Sequence, residues 1–168
     1  QLLRIDHEQV DPIDNHEEKQ LIDKVHELLK TGVDAIIFED YNKGVLTSVC
    51  IREIIALANN FKVYTAVDPK KQHFLEYKNV TLFKPNLKEL KEGLGIDFIW
   101  DADLKHLELA IEKLENNLNN QISFVTLSEE GVFIKNKKDK HYAKAHIRTI
   151  ADVSGAGDTV ISVATLCL

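Results

Sequence analysis

The sequence lacks the features of a membrane or secreted protein. No run of 18 or more apolar residues occurs, so no stretch is long enough for a transmembrane helix, and the N-terminus shows no signal peptide. Only two cysteines are present. Cys50 and Cys167 each lie in an apolar, helix-like segment without a partner at metal or redox spacing, which predicts core thiols in a reducing compartment. We therefore expect a cytoplasmic protein with no membrane partner.

Positive charge is also scarce. The chain carries 21 Lys and Arg against 27 Asp and Glu, a formal net charge of −6, which argues against nucleic acid as the main partner. Any polyanionic ligand must be met by local lysines and helix ends. The seven histidines have no metal spacing and include no His-x-Gly-His pair. No internal repeat or low-complexity linker is present, and the composition (44% apolar, 29% charged) is that of one ordinary globular domain.

Apolar periodicity alternates between strand-like and helix-like segments along the chain. Thr47 and Asp101 stand where helix N-caps are expected, and Gly32 stands where a helix C-cap belongs. The predicted strands are 2–6, 33–38, 62–67, 80–83, 122–127 and 145–150, with a hairpin formed by 132–134 and 141–145, and the predicted helices are 17–30, 47–60, 86–93, 101–118 and 160–168. This alternation predicts an α/β fold with a doubly wound, mainly parallel sheet and helices on both faces.

Polar residues follow several of these strands directly. They are Asp40 and Lys43, Asp68 and Lys70, Asn86 and Glu89, Thr126 and Ser128, and Gly155 and Asp158. Because ligands bind outside the carboxyl ends of parallel strands, we expect these residues to line one edge of the sheet. A solvated loop explains any one of the pairs, but it explains five of them poorly.

The segment 152–159, Asp-Val-Ser-Gly-Ala-Gly-Asp-Thr, lies at a strand-to-helix junction. Gly155 and Gly157 let the backbone turn sharply, and the N–H groups that open the following helix form a site for phosphate. Asp158 would then lie within reach of a hydroxyl that attacks the phosphate, which is the geometry of phosphoryl transfer. A tight turn with an N-capping aspartate is the alternative for these residues alone. No Gly-Lys-Ser/Thr follows, so this is not a Walker A loop.

The motifs together resemble a known family. The segment 152–158 resembles the D-T-x-G-A-G-D signature of ribokinase/PfkB-like carbohydrate kinases, with Val153 where the family has Thr. The segment 86–89 resembles the family's N-x-x-E motif, and 125–131 is similar to its nucleotide-binding strand and turn. More narrowly, 39–46 and 67–70 resemble the heptose-7-phosphate kinases, the kinase half of a bifunctional heptose kinase/adenylyltransferase of lipopolysaccharide synthesis. The resemblance covers 1–168.

This resemblance implies a function and a set of roles. The implied reaction is ATP-dependent phosphorylation of D-glycero-D-manno-heptose 7-phosphate at position 1. Another sugar or nucleoside substrate, or a non-catalytic fragment that binds a nucleotide or a partner, stays open. The implied roles are a base at Asp158; an anion hole at Gly155, Ala156 and Gly157; substrate binding at Asp40, Lys43, Asp68 and Lys70; nucleotide binding at Asn86, Thr126, Ser128 and Gly131; Mg²⁺ held through water by Asn86 and Glu89; and a monovalent cation near Asp152 and Ser154.

The resemblance also implies missing portions. Relatives have a further N-terminal portion with a glycine-rich substrate site and a lid sheet, and a C-terminal portion that completes the adenine pocket. We therefore expect a single kinase domain over 1–168 that lacks both portions and is inactive by itself. A homodimer of the full-length protein is compatible with the resemblance.

Overall fold

The structure is a computed structural model that describes residues 8, 10–99, 104–145 and 155–168. Within these ranges the chain alternates strands and helices, as the periodicity predicts. The elements are α1 (Asn15–Leu29), β1 (Ala35–Glu39), α2 (Ser48–Phe61), β2 (Tyr64–Asp68), β3 (Leu82–Phe83), α3 (Leu87–Leu94), α4 (Lys105–Leu118), β4 (Ile122–Thr126), β5 (Val132–Asn136), β6 (Lys140–Ala143) and α5 (Ala156–Thr165). Short 3₁₀ turns at Lys71–His73 and Ser128–Glu130 follow β2 and β4.

The strands form one sheet in the order β1-β2-β3-β4-β5-β6. Strands β1 to β4 are parallel, and β5 and β6 form an antiparallel hairpin at the end of the sheet. The hairpin turn is closed by Asn136, whose Oδ1 accepts the N–H groups of Lys138 and Asp139 at 2.8 Å. The mainly parallel α/β sheet predicted from the sequence is therefore confirmed.

Helices cover both faces of the sheet. Because successive strand residues point to opposite faces, Val67 and Phe83 join the main core with α2, α3 and α4, while Ala66 and Leu82 face the other way. Ile161 of α5 packs on Ala66 and Leu82, which places α5 on the opposite face from the other helices. In the described ranges, no helix has both the length and the apolar content needed to cross a bilayer.

The N-cap predicted for α2 is confirmed, and the structure shows similar caps on α1 and α3. Thr47 caps α2 by accepting the N–H of Cys50 at 3.2 Å. Asp14 caps α1 in a capping box with Glu17. Asn86 caps α3 in the same way with Glu89. These contacts are local in sequence, so residue type and spacing suffice to predict them.

Other local predictions need correction. Gly32 is not the C-cap of α1; that residue is Lys30, because hydrogen bonds in the tightened last turn satisfy the carbonyls of Glu27 and Leu28. Gly32 follows in the turn after the helix, where it has a positive φ of 94°. Helix α5 begins at Ala156, earlier than predicted, because Gly155 adopts the left-handed conformation and caps it. The predicted strand 2–6 and the predicted cap Asp101 lie outside the described residues. So does the predicted strand 145–150 except for its first residue, Ala145, which is not in a strand.

The two cysteines have different environments. Cys50 is a buried core thiol, as predicted, whereas Cys167 is exposed. The core prediction for Cys167 is wrong because this residue follows the last turn of α5, and α5 packs on the sheet through the side that carries Ile161.

Candidate functional site at the carboxyl edge of the sheet

The carboxyl ends of the parallel strands meet at one edge of the sheet. Glu39 and Asp68, the last residues of β1 and β2, pair in register, and Asn86 after β3 pairs with Thr126 at the end of β4. Helix α5 contacts β1 and β2, so its N-terminus joins this edge from the opposite face. The structure therefore brings together the loops that the sequence placed after the strands.

The start of α5 lies directly against β2. Gly155 caps the helix with φ 74°, and the N–H groups of the first turn have no partner within the helix. A Cβ at Gly157 would lie only 3.3 Å from Asp68 Oδ2, so glycine permits this close approach. The positive end of the helix dipole and the free N–H groups make this turn suited to an anion.

Three carboxylates lie close together at this turn, one of them on the turn itself. Glu39, Asp68 and Asp158 each place an oxygen within 4.8 Å of the other two. Burial raises the pKa of Glu39, and the charge of Asp158 raises it further. Burial also raises the pKa of Asp68, against the opposing effect of its ion pair with Lys84. Oxygen ligands of this kind suit hard cations such as Mg²⁺.

Sequence reasoning missed Glu39, although a signal was available. Phe38 is buried in the main core, so the next residue along β1 must point to the opposite face, which is the face that α5 covers. The same alternation turns Asp40 back to the core side. The register between β1 and β2 then aligns Glu39 with Asp68.

Asp40 does not reach the carboxylate cluster. Its side chain is buried, and it accepts the hydroxyl of Tyr77 at 2.8 Å and the N–H of Asn42 at 2.7 Å. Burial and the charge of Asp40 raise the pKa of Tyr77. Asp40 thus holds the loop after β1 in place, and its predicted contact with substrate gains no support from this position.

Tyr41, another residue that sequence reasoning missed, contacts Asp158 directly. Its hydroxyl donates a hydrogen bond of 3.1 Å to Asp158 Oδ2, and this bond raises the pKa of Tyr41. A tyrosine in a polar loop carries no motif, and the two residues are 117 positions apart, so only the packing of α5 reveals the contact.

The two lysines predicted to bind the sugar's phosphate lie in different places. Lys43 forms an ion pair with Glu8 and lies 5.8 Å from the ring centroid of Tyr41. Lys70 Nζ lies 2.6 Å from Glu89 Oε1. Burial lowers the pKa of Lys70, but Glu89 more than offsets this, so the pKa is raised overall. Lys43 therefore lies on the Tyr41 side of the edge, and Lys70 lies on the α3 side.

Asn86 and Glu89 have their side chains fixed by the N-terminus of α3. Asn86 Oδ1 accepts the N–H of Glu89 at 2.8 Å, and Glu89 Oε2 accepts the N–H of Asn86 at 2.9 Å. The Glu89 side chain is only 13% exposed, and its other oxygen binds Lys70. Both carboxylate oxygens of Glu89 thus have protein partners, and its predicted contact with Mg²⁺ through water stays a prediction.

Two of the four predicted nucleotide residues, Asn86 and Ser128, line a groove of about 820 Å³ beside α3, whereas Thr126 and Gly131 do not line it. Ser128 opens the turn after β4 with a positive φ of 54°. Gly131 has a structural reason to be glycine, because a Cβ there would lie 2.0 Å from the carbonyl oxygen of Ala143 in β6. The predicted cation residues Asp152 and Ser154 lie outside the described residues.

Lys84 is a further residue that sequence reasoning did not single out as functional. It follows β3, its side chain is 4% exposed, and its Nζ lies 2.9 Å from Asp68 Oδ2. Its backbone N–H donates to the carbonyl of Val67 at 2.8 Å, which continues the sheet contacts of β3. A buried lysine thus pairs with the partly buried aspartate of the carboxylate cluster.

The fold and site define a class of protein. The carboxyl ends of parallel strands face the N-terminus of a helix that is capped by a glycine. This arrangement is typical of phosphate-binding α/β proteins, and here the first helical turn also carries a carboxylate. The family model described as pfkB family carbohydrate kinase matches residues 10–168. The chain belongs to the pfkB family of carbohydrate kinases, as its motifs predict.

Individual relatives support this assignment. The bifunctional protein HldE of Campylobacter curvus is 40% identical over 162 residues, which cover 96% of this chain and 33% of that protein. The chain therefore spans about a third of the length of this relative.

Solved structures show the same fold. Escherichia coli phosphofructokinase-2 in complex with potassium matches with a TM-score of 0.78 at 18% identity, over 92% of this chain and 50% of that one. Arabidopsis thaliana ribokinase complexed with ribose and ATP matches with a TM-score of 0.67 at 13% identity, over 94% and 47%. The predicted ribokinase-like fold is confirmed.

Proposed function

We propose that this chain forms part of an ATP-dependent kinase that phosphorylates D-glycero-D-manno-heptose 7-phosphate at position 1, in lipopolysaccharide precursor synthesis. The observation that carries the proposal is the contact between the first turn of α5 and the end of β2, which places Asp158 among carboxylates beside an anion-binding helix start. Similarity to the bifunctional protein HldE supports the heptose kinase assignment.

Each part of the turn has a role in the reaction. The sugar hydroxyl oxygen attacks the γ-phosphorus of ATP, the bond from that phosphorus to the ADP oxygen breaks, and Asp158 accepts the hydroxyl proton. The N–H groups of the turn formed by Gly155, Ala156 and Gly157 stabilise the charge of the phosphoryl group in transfer. Tyr41 orients Asp158 through its hydrogen bond to Oδ2.

The strand order divides the edge between the two substrates. Tyr41 and Lys43 follow β1, so the sugar phosphate would bind there, with Lys43 as the cation for its phosphate. Asn86 and Ser128 follow β3 and β4, so the nucleotide would bind in the groove beside α3. The ion pair between Lys70 and Glu89 supports a role for Lys70 on the nucleotide side, in place of the contact with the sugar's phosphate that the sequence predicted.

A kinase of this family is expected to use Mg²⁺ with ATP. Glu89 and Asn86 would hold the ion through water, and the ion would supply positive charge to the phosphates. A monovalent cation near Asp152 and Ser154 stays a prediction. It is compatible with the potassium complex of phosphofructokinase-2, a protein of similar fold. We expect the kinase to act in the cytoplasm, where ATP is available, and a homodimer is compatible with the family.

The test uses the product of the complete reading frame. ADP release should be measured with ATP, Mg²⁺ and D-glycero-D-manno-heptose 7-phosphate, and in parallel with ribose, fructose 6-phosphate and nucleosides. The heptose phosphate should give the highest kcat/KM, and Asp158→Asn should lower kcat by about 10² or more. Asp139→Asn, in the exposed β5–β6 turn, is the matched control.

Three outcomes would contradict parts of this proposal. Preference for another sugar would mean that the chain belongs to a kinase of the same family with a different substrate. Binding of ATP without any sugar-dependent release of ADP would favour the non-catalytic alternative. An Asp158→Asn protein that keeps most of its kcat would exclude Asp158 as the base.

A further inference from the structure

Lys84 is a buried cation that the proposed reaction does not use. Its side chain is 4% exposed and reaches Asp68 Oδ2 at 2.9 Å. A lysine is almost never buried unless its charge is paired, because leaving water costs an ammonium group much solvation energy. The pair therefore calls for a structural explanation within the site.

The pair lies directly beneath the first turn of α5. A Cβ built on Gly157 would lie 3.3 Å from Asp68 Oδ2 and 3.9 Å from Lys84 Nζ. The backbone of the turn thus rests on these two side chains. Asp158 is the next residue, so any shift of the pair is transmitted to it and to the N–H groups of the turn.

The charge of Lys84 also matters to the cluster above it. Glu39, Asp68 and Asp158 place three carboxylates within 4.8 Å. Like charges this close repel one another, and they also repel an incoming phosphate. The ammonium group of Lys84 offsets part of this repulsion from the buried side.

We propose that Lys84 is a positioning residue for phosphoryl transfer: by holding Asp68 in place, it fixes the first turn of α5 and so aligns Asp158 and the anion-binding N–H groups. This role rests on the proposed kinase function. Lys84 acts through Asp68 and contacts neither substrate, so its loss should lower kcat while leaving both KM values nearly unchanged.

The kinetic test compares Lys84→Met with Lys84→Arg in the product of the complete reading frame. A misplacement of about 1 Å can cost about 10² in rate, so Lys84→Met should lower kcat by about that factor, with both KM values within about threefold. Lys84→Arg keeps the charge and should recover part of kcat. The control is Lys135→Met, which removes another partly buried ion pair (2.5 Å to Glu115) near the amino end of β4 and should change kcat by less than about twofold.

A second measurement does not depend on turnover. Amide hydrogen exchange should become faster at 155–159 in Lys84→Met than in the parent and in Lys135→Met, because the first turn of α5 loses its support. If the parent phosphorylates no sugar but this exchange change is present, the proposed function fails and the support of α5 by Lys84 stands.

Other outcomes overturn the role of Lys84. A folded Lys84→Met protein with parental kcat and parental exchange at 155–159 would refute it. A rise in KM for ATP alone would make Lys84 a nucleotide contact instead. If Lys84→Met does not fold, Asp68→Asn removes the charge that pairs with Lys84 at nearly the same side-chain volume, and the same fall in kcat with an unchanged KM for ATP is then required.

Discussion

Replacing Gly157 with alanine tests how closely α5 must approach β2. The new methyl group would lie 3.3 Å from Asp68 Oδ2, so one of the two must move by a few tenths of an ångström. Asp68 is held by the buried Lys84, so we expect the start of α5 to move. If about 1 Å of misplacement costs 10² in rate, a few tenths should lower kcat by roughly fivefold. Alanine favours a helix over glycine by about 1 kcal/mol, so stability should be unchanged or slightly higher.

The control for this variant is Gly93→Ala. A Cβ at Gly93, in α3, would lie 2.2 Å from the ring of the buried Phe74, so this variant should lose about 1–3 kcal/mol of stability through overpacking. Urea unfolding and steady-state kinetics on both variants separate the two effects. The reasoning fails if Gly157→Ala loses more than about 1 kcal/mol of stability, or if its kcat equals that of the parent.

Three further predictions follow from the site. Tyr41→Phe removes the hydrogen bond to Asp158 and should lower kcat about fivefold, equivalent to about 1 kcal/mol, with little change in unfolding because Tyr41 is exposed; an unchanged kcat would exclude an orienting role. Burial, then the charge of Asp158, raise the pKa of Glu39 above 4.5, so its ionisation disfavours the folded state. Glu39→Gln should therefore stabilise the protein at pH 7, and urea unfolding across pH should show this gain disappearing as the pH falls through the raised pKa toward 4.5; a gain independent of pH would contradict the argument. Lys43→Ala should raise KM for the sugar phosphate, and Lys70→Ala should raise KM for ATP, as measured by initial rates; the opposite pattern would exchange their assignments.

The amino-acid sequence by itself determined the parts of this protein that depend on neighbours in the chain. Alternating periodicity predicts the strands and helices, and the residue type of Thr47 at the start of an apolar segment predicts the N-cap of α2. The predicted meeting of the polar loops at one edge is also correct, because strands joined by helices are parallel and share a carboxyl edge. The family follows from the same short motifs, which are local in sequence.

Only the tertiary structure decided which of the polar side chains at that edge act together. Pleating turns Glu39 toward α5 and Asp40 into the core, although both follow the same buried run and look alike as sequence. The contact of Tyr41 with Asp158 and the support of α5 by Lys84 join residues that are far apart in the chain. Such contacts depend on how α5 docks across β1 and β2, and that docking is set by the burial of Ile161 against the sheet rather than by any local pattern.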